Sequence, residues 1–573
     1  MRRGRSSWLI ALLAVLAVVA AACGGNNNKK SSSGTTSTTS AGAVTEGGDV
    51  VFAAEQEPDV MDWIDSNAGA AWGNYTVQQA TLPRAFDFNI VNGKPTWSPG
   101  PVLSGEPDLK TSPDQVVTYH INPKAKWSDG QPITSHDFKY TWDQIAHGKN
   151  IYDRTGYNLG SGNPSDDVIK SVDDSDPAVV VATFAKPFPA WKDDFGSNYG
   201  ILPAHLLEGK DRDALMKDGY KFSGGPWMLD HWTKGVEVKL VPNPMFWGKK
   251  PHLSSITWKF ITDTAAEQQA VKSGQVLAAY PQAQPGQEAL KGQPGLTFDT
   301  STGISFEALW FNVSKPPLDS VKVRQALAYA TDRDAIVNQL FRPVQPDIKR
   351  IDSFATPAYG NFYSTPYSKY KVDLAKVTSL MTSDGWTKGS DGIWAKGGQR
   401  AALELKTTVN NKRRELTAQI VQNNWKQAGF DLKVTFEKAG ILFGQDGPTG
   451  NFQVALYAQT PSSTDVTESS SCILWCTKNI PGPSNGNTGT NWYRFSDPRV
   501  DQLFSAVDSS LDDSKRATDY KAGTARLADL VASLPIDPFP DIIVYSDKLG
   551  GPIKHNPGIQ GFWHNVNEWY LKK

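Results

Sequence analysis

Cysteine is almost absent: three residues in 573, namely Cys23, Cys472 and Cys476. That excludes a disulfide-built scaffold and any cluster of four thiolate ligands. Histidine is scarce too, at eight, with no His-Glu-x-x-His and no tight group, which argues against a zinc hydrolase. Neither sign of charge dominates, since 58 Lys and Arg face 59 Asp and Glu for a formal charge of −1. A nucleic-acid binder needs a strongly basic domain or stripe, so no nucleic-acid partner is expected. No Gly-x4-Gly-Lys-[Ser/Thr] occurs, so the chain has no P-loop for nucleotide hydrolysis. The one long apolar run, Trp8–Ala22, has 15 residues, short of the roughly 20 that span a bilayer. No period of 20–50 residues recurs, which removes solenoids and propellers. Neither a cofactor nor a metal is expected.

What is present is aromatic and apolar: 19 Trp, 18 Tyr, 24 Phe, and 39% hydrophobic residues. Such a chain builds large cores, and its length suggests two to four packed units. Arg2, Arg3 and Arg5 ahead of the apolar run make residues 1–22 an export signal. Ala20-Ala21-Ala22-Cys23 followed by Gly24-Gly25 is similar to a bacterial lipoprotein box, although Ala20 stands where Leu is usual. Cys23 is therefore the expected lipidation site, against ordinary cleavage after the alanines. Residues 23–48 are mostly Gly, Asn, Lys, Ser, Thr and Ala and read as a flexible tether. Cys472 and Cys476 lie in Ser471-Cys-Ile-Leu-Trp-Cys-Thr477. Outside the cytoplasm such a pair more often forms a disulfide than a metal site, provided the tiny loop permits it.

The body reads as mixed α/β. Val50–Ala53, the alternating Val117–Ile121, Val179–Phe184 and Phe452–Tyr457 predict strands. Trp127-Ser-Asp-Gly130 marks a tight turn. Val323, Ala326, Leu327 and Ala330 share one helical face; Leu416, Ile420, Val421 and Trp425 share another, on a helix that stops near Gly429. Gly482-Pro-Ser484-Asn-Gly486 fits a nucleophile-elbow string, but it sits in a Pro- and Asn-rich loop without the required strand, so no catalytic residue is assigned. Asp173-Asp174-Ser175-Asp176 lacks the spacing of a calcium loop and reads as a solvated turn.

Several blocks, in this order, resemble the peptide-type extracellular solute-binding proteins of ABC importers, family 5. They are Val117–Ile121 with Trp127–Phe138, Gly224-Gly-Pro-Trp227, Leu240–Trp247, Leu309-Trp-Phe-Asn312 with Val321–Arg333, and Asn491–Asp501. The resemblance implies an α/β fold of two lobes, the periplasmic-binding-protein type II or Venus-flytrap form, with an extra small domain on the first lobe. It places the first lobe at 49–88, 222–303 and 540–573, the extra domain at 89–221, and the second lobe at 304–539. It implies a monomer that closes on a peptide or peptide-like small molecule and meets an ABC permease with its ATPase subunits, held at the outer face of the cytoplasmic membrane by the lipid anchor. Ligand contacts carried over are Glu57, Trp72 and Tyr75 from the first lobe, then Leu456, Tyr457, Ala458, Gln459, Trp475, Asn491, Trp492 and Phe539. Relatives usually have Asp at the position of Gln459 to pair the ligand's ammonium; Gln forfeits that charge-assisted bond, and Asp465 is the nearby substitute. A second implication competes. Ala185–Trp191 and Ile201–His205 resemble a lipoprotein branch that binds a glycolipid-type amphiphile and regulates envelope synthesis.

Overall fold

Ten strands make one large sheet that runs through the whole body. The computed structural model describes residues 44–573 apart from 66–70, 92–93, 152–156, 158–166, 197–199, 462–464, 486, 488 and 557–560. The first strand of the large sheet, β1 (Asp49–Ala54), is the expected Val-Val-Phe-Ala run, mostly buried because parallel neighbours flank both its edges. The others are β2 (Trp227–Thr233), β3 (Glu237–Pro242), β4 (Ser255–Phe260), β5 (Ala278–Ala279), β6 (Leu296–Phe311), β7 (Ala402–Thr408), β8 (Asp431–Glu437), β9 (Val454–Gln459) and β10 (Leu534–Ser546). Their order across the sheet is β8-β7-β9-β6-β10-β5-β1-β4-β3-β2.

Two strands hold this sheet together. Antiparallel β6 and β10 pair along both halves, with register breaks after Thr302 and Glu307. One half of β10 pairs with β5, while the far half of β6 pairs with β9. They therefore link a β1–β5 set to a β7–β9 set. The apolar residues follow the same division. One core gathers Phe52, Trp127, Trp258 and Trp569, and a separate one gathers Trp310, Trp425, Tyr457 and Trp475. A smaller third cluster, with Ala270, Val271 and Leu290, belongs with the β1–β5 set; two lobes joined by two long strands are the α/β fold that the sequence predicts.

A smaller unit belongs to the first core. Strands Asp108–Lys110, Val116–His120, Ile169–Asp176 and Val179–Phe184 form a separate antiparallel sheet, with the helix Ser135–His147 packed on it. The Trp127–Gly130 turn closes with the Gly130 N–H on the Trp127 carbonyl (2.9 Å), and Gly130 takes φ +90°, which a side chain would resist. Asp174 in the acidic turn is paired with Lys139 (2.7 Å) and His136, so that cluster is tied to the helix rather than free.

Two helices leave the large sheet just beyond strand ends. They are α1 (Thr264–Lys272), after β4 and capped by Asp263, and α2 (Lys412–Ala428), after β7, capped by Asn411 and ended by Gly429 at φ +94°. The apolar stripe predicted for α2 is only partly its inner face. Val421 and Trp425 are fully buried, whereas Leu416 and Ile420 are half-buried. Arg413, Arg414, Thr417 and Ala418 complete the buried face. A hydrophobic pattern cannot announce two buried arginines, because their place depends on a carboxylate supplied by another strand.

Candidate functional site

In open α/β sheets the crevice outside the carboxyl ends of the strands is where ligands sit, since loops there leave the sheet in diverging directions. Here the carboxyl ends of β1, β4 and β5 face the carboxyl end of β7. Between them lies a cavity of about 520 Å³, within the range of ~300–1,000 Å³ usual for small-molecule sites. The first lobe lines it with Thr262, Asp263, Thr264 and Gln284, the second with Asn410 and Lys412. Hydroxyl, amide and charged side chains share this wall with Ala265, Pro285 and Gly286.

Behind it lies a charged cluster that spans both lobes. Glu307 on β6 is fully buried and accepts from both Arg413 and Arg414, the latter at 2.7 Å. Arg413 also donates to the Ala283 carbonyl (2.9 Å), and its own backbone N–H is received by the Gln284 side chain (3.0 Å). The guanidinium lies over the Phe539 ring at 4.8 Å. Burial by itself would raise the Glu307 carboxyl, but the two arginines hold it below its ordinary value. Directly across the ladder from Glu307 stands Asp537, also fully buried, and neither of its carboxyl oxygens has a hydrogen-bond partner. Burial pushes Asp537 far above the carboxylate range; the Glu307 charge adds to the shift and the arginines oppose it. Glu55, just past β1, accepts from the Gln282 backbone N–H (3.0 Å) through one oxygen, while its other oxygen is enclosed without a partner. Burial raises it to about 7, against the pull of Gln282 and the two arginines.

The residues expected at the site divide. Tyr457, Ala458 and Gln459 end β9, and there the ladder to β7 stops: its last pair is Thr407 with Leu456, while pairing to β6 continues to Gln459. Leu456 itself is fully buried, its carbonyl held by the Thr407 hydroxyl (2.8 Å). Trp492 is half-buried, 6.3 Å from the Tyr457 ring. Phe539 is half-buried under Arg413. Glu57 is half-buried and braces the β2–β3 turn, accepting from Trp232 Nε1 (2.9 Å) and the Gly235 N–H (2.7 Å).

Two expected wall residues are instead enclosed in the second lobe. Trp475 is fully buried, packed on Phe354 (4.7 Å), Tyr493 (5.2 Å) and Trp310 (6.1 Å), because an indole gains more among these rings than it does facing water. Asn491 is fully buried with its amide spent on the Cys476 and Phe495 carbonyls and its oxygen on the Phe495 N–H, so it organises a turn. Asp465 is committed to Arg516 (2.6 Å) and cannot stand in for Gln459. Cys472 and Cys476 are joined by a disulfide. Trp72 and Tyr75 lie on the helix Ala71–Thr81, their side chains outside the described residues; Cys23 and the Ser484 side chain also lie outside them.

Missed by sequence reasoning were Glu55, Glu307, Arg413, Arg414 and Asp537. The one available signal was chemical: an acid ending an apolar strand, and paired arginines just inside a helix start.

No helix of the described residues is long and apolar enough to cross a membrane. Comparison with known proteins is consistent across the chain. The family model for bacterial extracellular solute-binding proteins, family 5 Middle, matches residues 99–479. The dipeptide-binding protein of Escherichia coli is 23% identical over 444 residues, 74% of this chain and 78% of that protein. Protein XP55 of Streptomyces lividans is 23% identical over 522 residues, 87% of this chain and 84% of that one. Among solved structures, a periplasmic EDTA-binding protein, EppA, superposes with TM-score 0.81 at 22% identity, over 95% of this chain and all of the other. The oligopeptide-binding protein AppA of Bacillus subtilis, in complex with a nonapeptide, gives 0.76 at 20%, over 93% and 100%.

Proposed function

The chain belongs to family 5 of the bacterial extracellular solute-binding proteins, and from that premise we propose that it is the receptor of an ABC importer, catching a peptide or peptide-like solute between its lobes and passing it to a permease. Proteins of this family bind solutes and are not enzymes. One observation carries the peptide reading: Ala458 and Gln459, at the carboxyl end of β9, pair with β6 after the ladder to β7 has stopped. An extended backbone can complete that edge, which is how peptides add to sheets.

With Gln459 uncharged and Asp465 tied to Arg516, recognition rests on backbone and side-chain hydrogen bonds rather than on an ion pair to a free ammonium at that end. Cys23 carries the lipid that holds the receptor at the membrane.

Native mass spectrometry of the purified protein tests the reading. A co-purified mass matching a peptide, with a melting temperature raised by re-adding it, is expected, because ligand binds the folded state. A co-purified lipid, with no thermal shift from a broad peptide library, reverses the choice in favour of the amphiphile.

A further inference from the structure

We propose that closing the crevice takes up a proton into the hinge, where Asp537 and Glu55 meet Arg413 and Arg414, so that solute capture and proton uptake are coupled. The proposal rests on the clamp reading of the function and adds a second ligand, the proton.

Asp537 and Glu307 face each other on β10 and β6, the two strands that join the lobes. Arg413 and Arg414 come from the second lobe; Glu55, and Glu267 on the first turn of α1, come from the first. These are the charged groups around the cluster: four acids and two bases, with Gln282, Gln284, Asn411 and Thr408 as the neutral polar neighbours. The contacts that cover it are contacts between lobes. Arg413 reaches Ala283 and Gln284, and Asn411 reaches Gln282 (3.5 Å).

Glu307 takes up hydrogen bonds from both arginines. Asp537 is left with two enclosed oxygens and no donor, and Glu55 and Glu267 each have one oxygen in the same condition. An ionised carboxylate enclosed without hydrogen bonds costs several kcal/mol, so the neutral acid is the cheaper occupant of such a place. When the lobes part, the Ala283 and Gln284 cover leaves Arg413 and water reaches the cluster. There the acids return toward ordinary values of ~4 and release their protons near neutral pH. The raised positions of Asp537 and Glu55 while these contacts are made agree with this. The closed state therefore binds more protons, acid favours closing, and the closed-to-open ratio falls up to tenfold per pH unit for each proton taken up.

Small-angle scattering of the ligand-free chain between pH 5 and 8 tests this. The expected result is a radius of gyration that grows as pH rises. Asp537→Asn, neutral at every pH, is expected to lose most of that dependence and stay compact. Glu55→Gln, which keeps the side chain's size and removes its titration, is expected to keep a shallower dependence. Wild type insensitive to pH yet contracting with a tryptic peptide digest overturns the coupling while leaving the clamp. Both variants retaining the full wild-type dependence overturns the assignment to these residues. A chain that changes dimension with neither pH nor digest overturns the clamp and this proposal together.

Discussion

Glu307 shows how much one side chain can decide. It is the carboxylate that both buried arginines bond, so Glu307→Gln removes their hydrogen-bonded counter-charge. Breaking a buried pair in that way costs about 3–5 kcal/mol. The expected outcome is a loss of melting temperature larger than that of any surface Glu→Gln change, read by calorimetry; an unchanged melting temperature would mean the arginines need no anion. The same scale shows what residue types conceal. Trp475 and Trp492 sit in neighbouring segments and look alike in the sequence, yet one is sealed among Phe354, Tyr493 and Trp310 and the other half-faces solvent. Asn491 is polar and still belongs to the interior, because three hydrogen bonds satisfy its amide.

At the scale of elements, α2 was legible at its carboxyl end and only partly in its orientation. Asn411 and Gly429 end it as cap chemistry requires, and Trp425 is buried as its spacing predicts. Trp425→Ala removes a fully buried indole whose N–H is held by the Thr331 hydroxyl (2.9 Å). A cost of about 3–5 kcal/mol is expected, measured by urea unfolding. The inner turn of the same helix carried no such sign, since Arg413 and Arg414 read as a solvated face until β6 supplies Glu307. The joining strands hold a second charged group. His555 pairs with Asp541 on β10 (2.6 Å) and Asp299 on β6 (3.3 Å). Burial opposes its charge, yet the two aspartates outweigh it and raise the imidazole above its ordinary value. The stabilisation is therefore complete below about pH 6.5 and lost as pH rises through the raised value. Relative to wild type, His555→Gln is expected to lower the melting temperature most at pH 5–6, with the gap closing in alkali. A gap independent of pH would assign His555 a packing role alone.

For the whole molecule, the decisive feature is the division into two lobes linked by β6 and β10, because it leaves the carboxyl ends of both strand sets facing one crevice. A receptor needs little more: a ligand that favours the closed form over the open one shifts the population, and the permease can read the difference. Under the anchoring proposed above, its retention at the membrane depends on Cys23. Cys23→Ala is expected to move the protein from the membrane fraction to the soluble fraction and to abolish incorporation of labelled fatty acid. Retention in the membrane fraction would assign anchoring elsewhere.

The family blocks, the mixed α/β character, the strands near 50–53, 117–121, 179–184 and 452–457 and two helices were legible in the sequence itself, because each depends on local spacing or on a short run of residue types. Which aromatics stay half-exposed and which fill a core was decided only by tertiary packing, since identical side chains differ there by their neighbours alone. The charged hinge belongs to that second class. Glu55, Glu307, Arg413 and Asp537 lie far apart along the chain, and only the crossing of two long strands between the lobes brings acid to base and shuts water out.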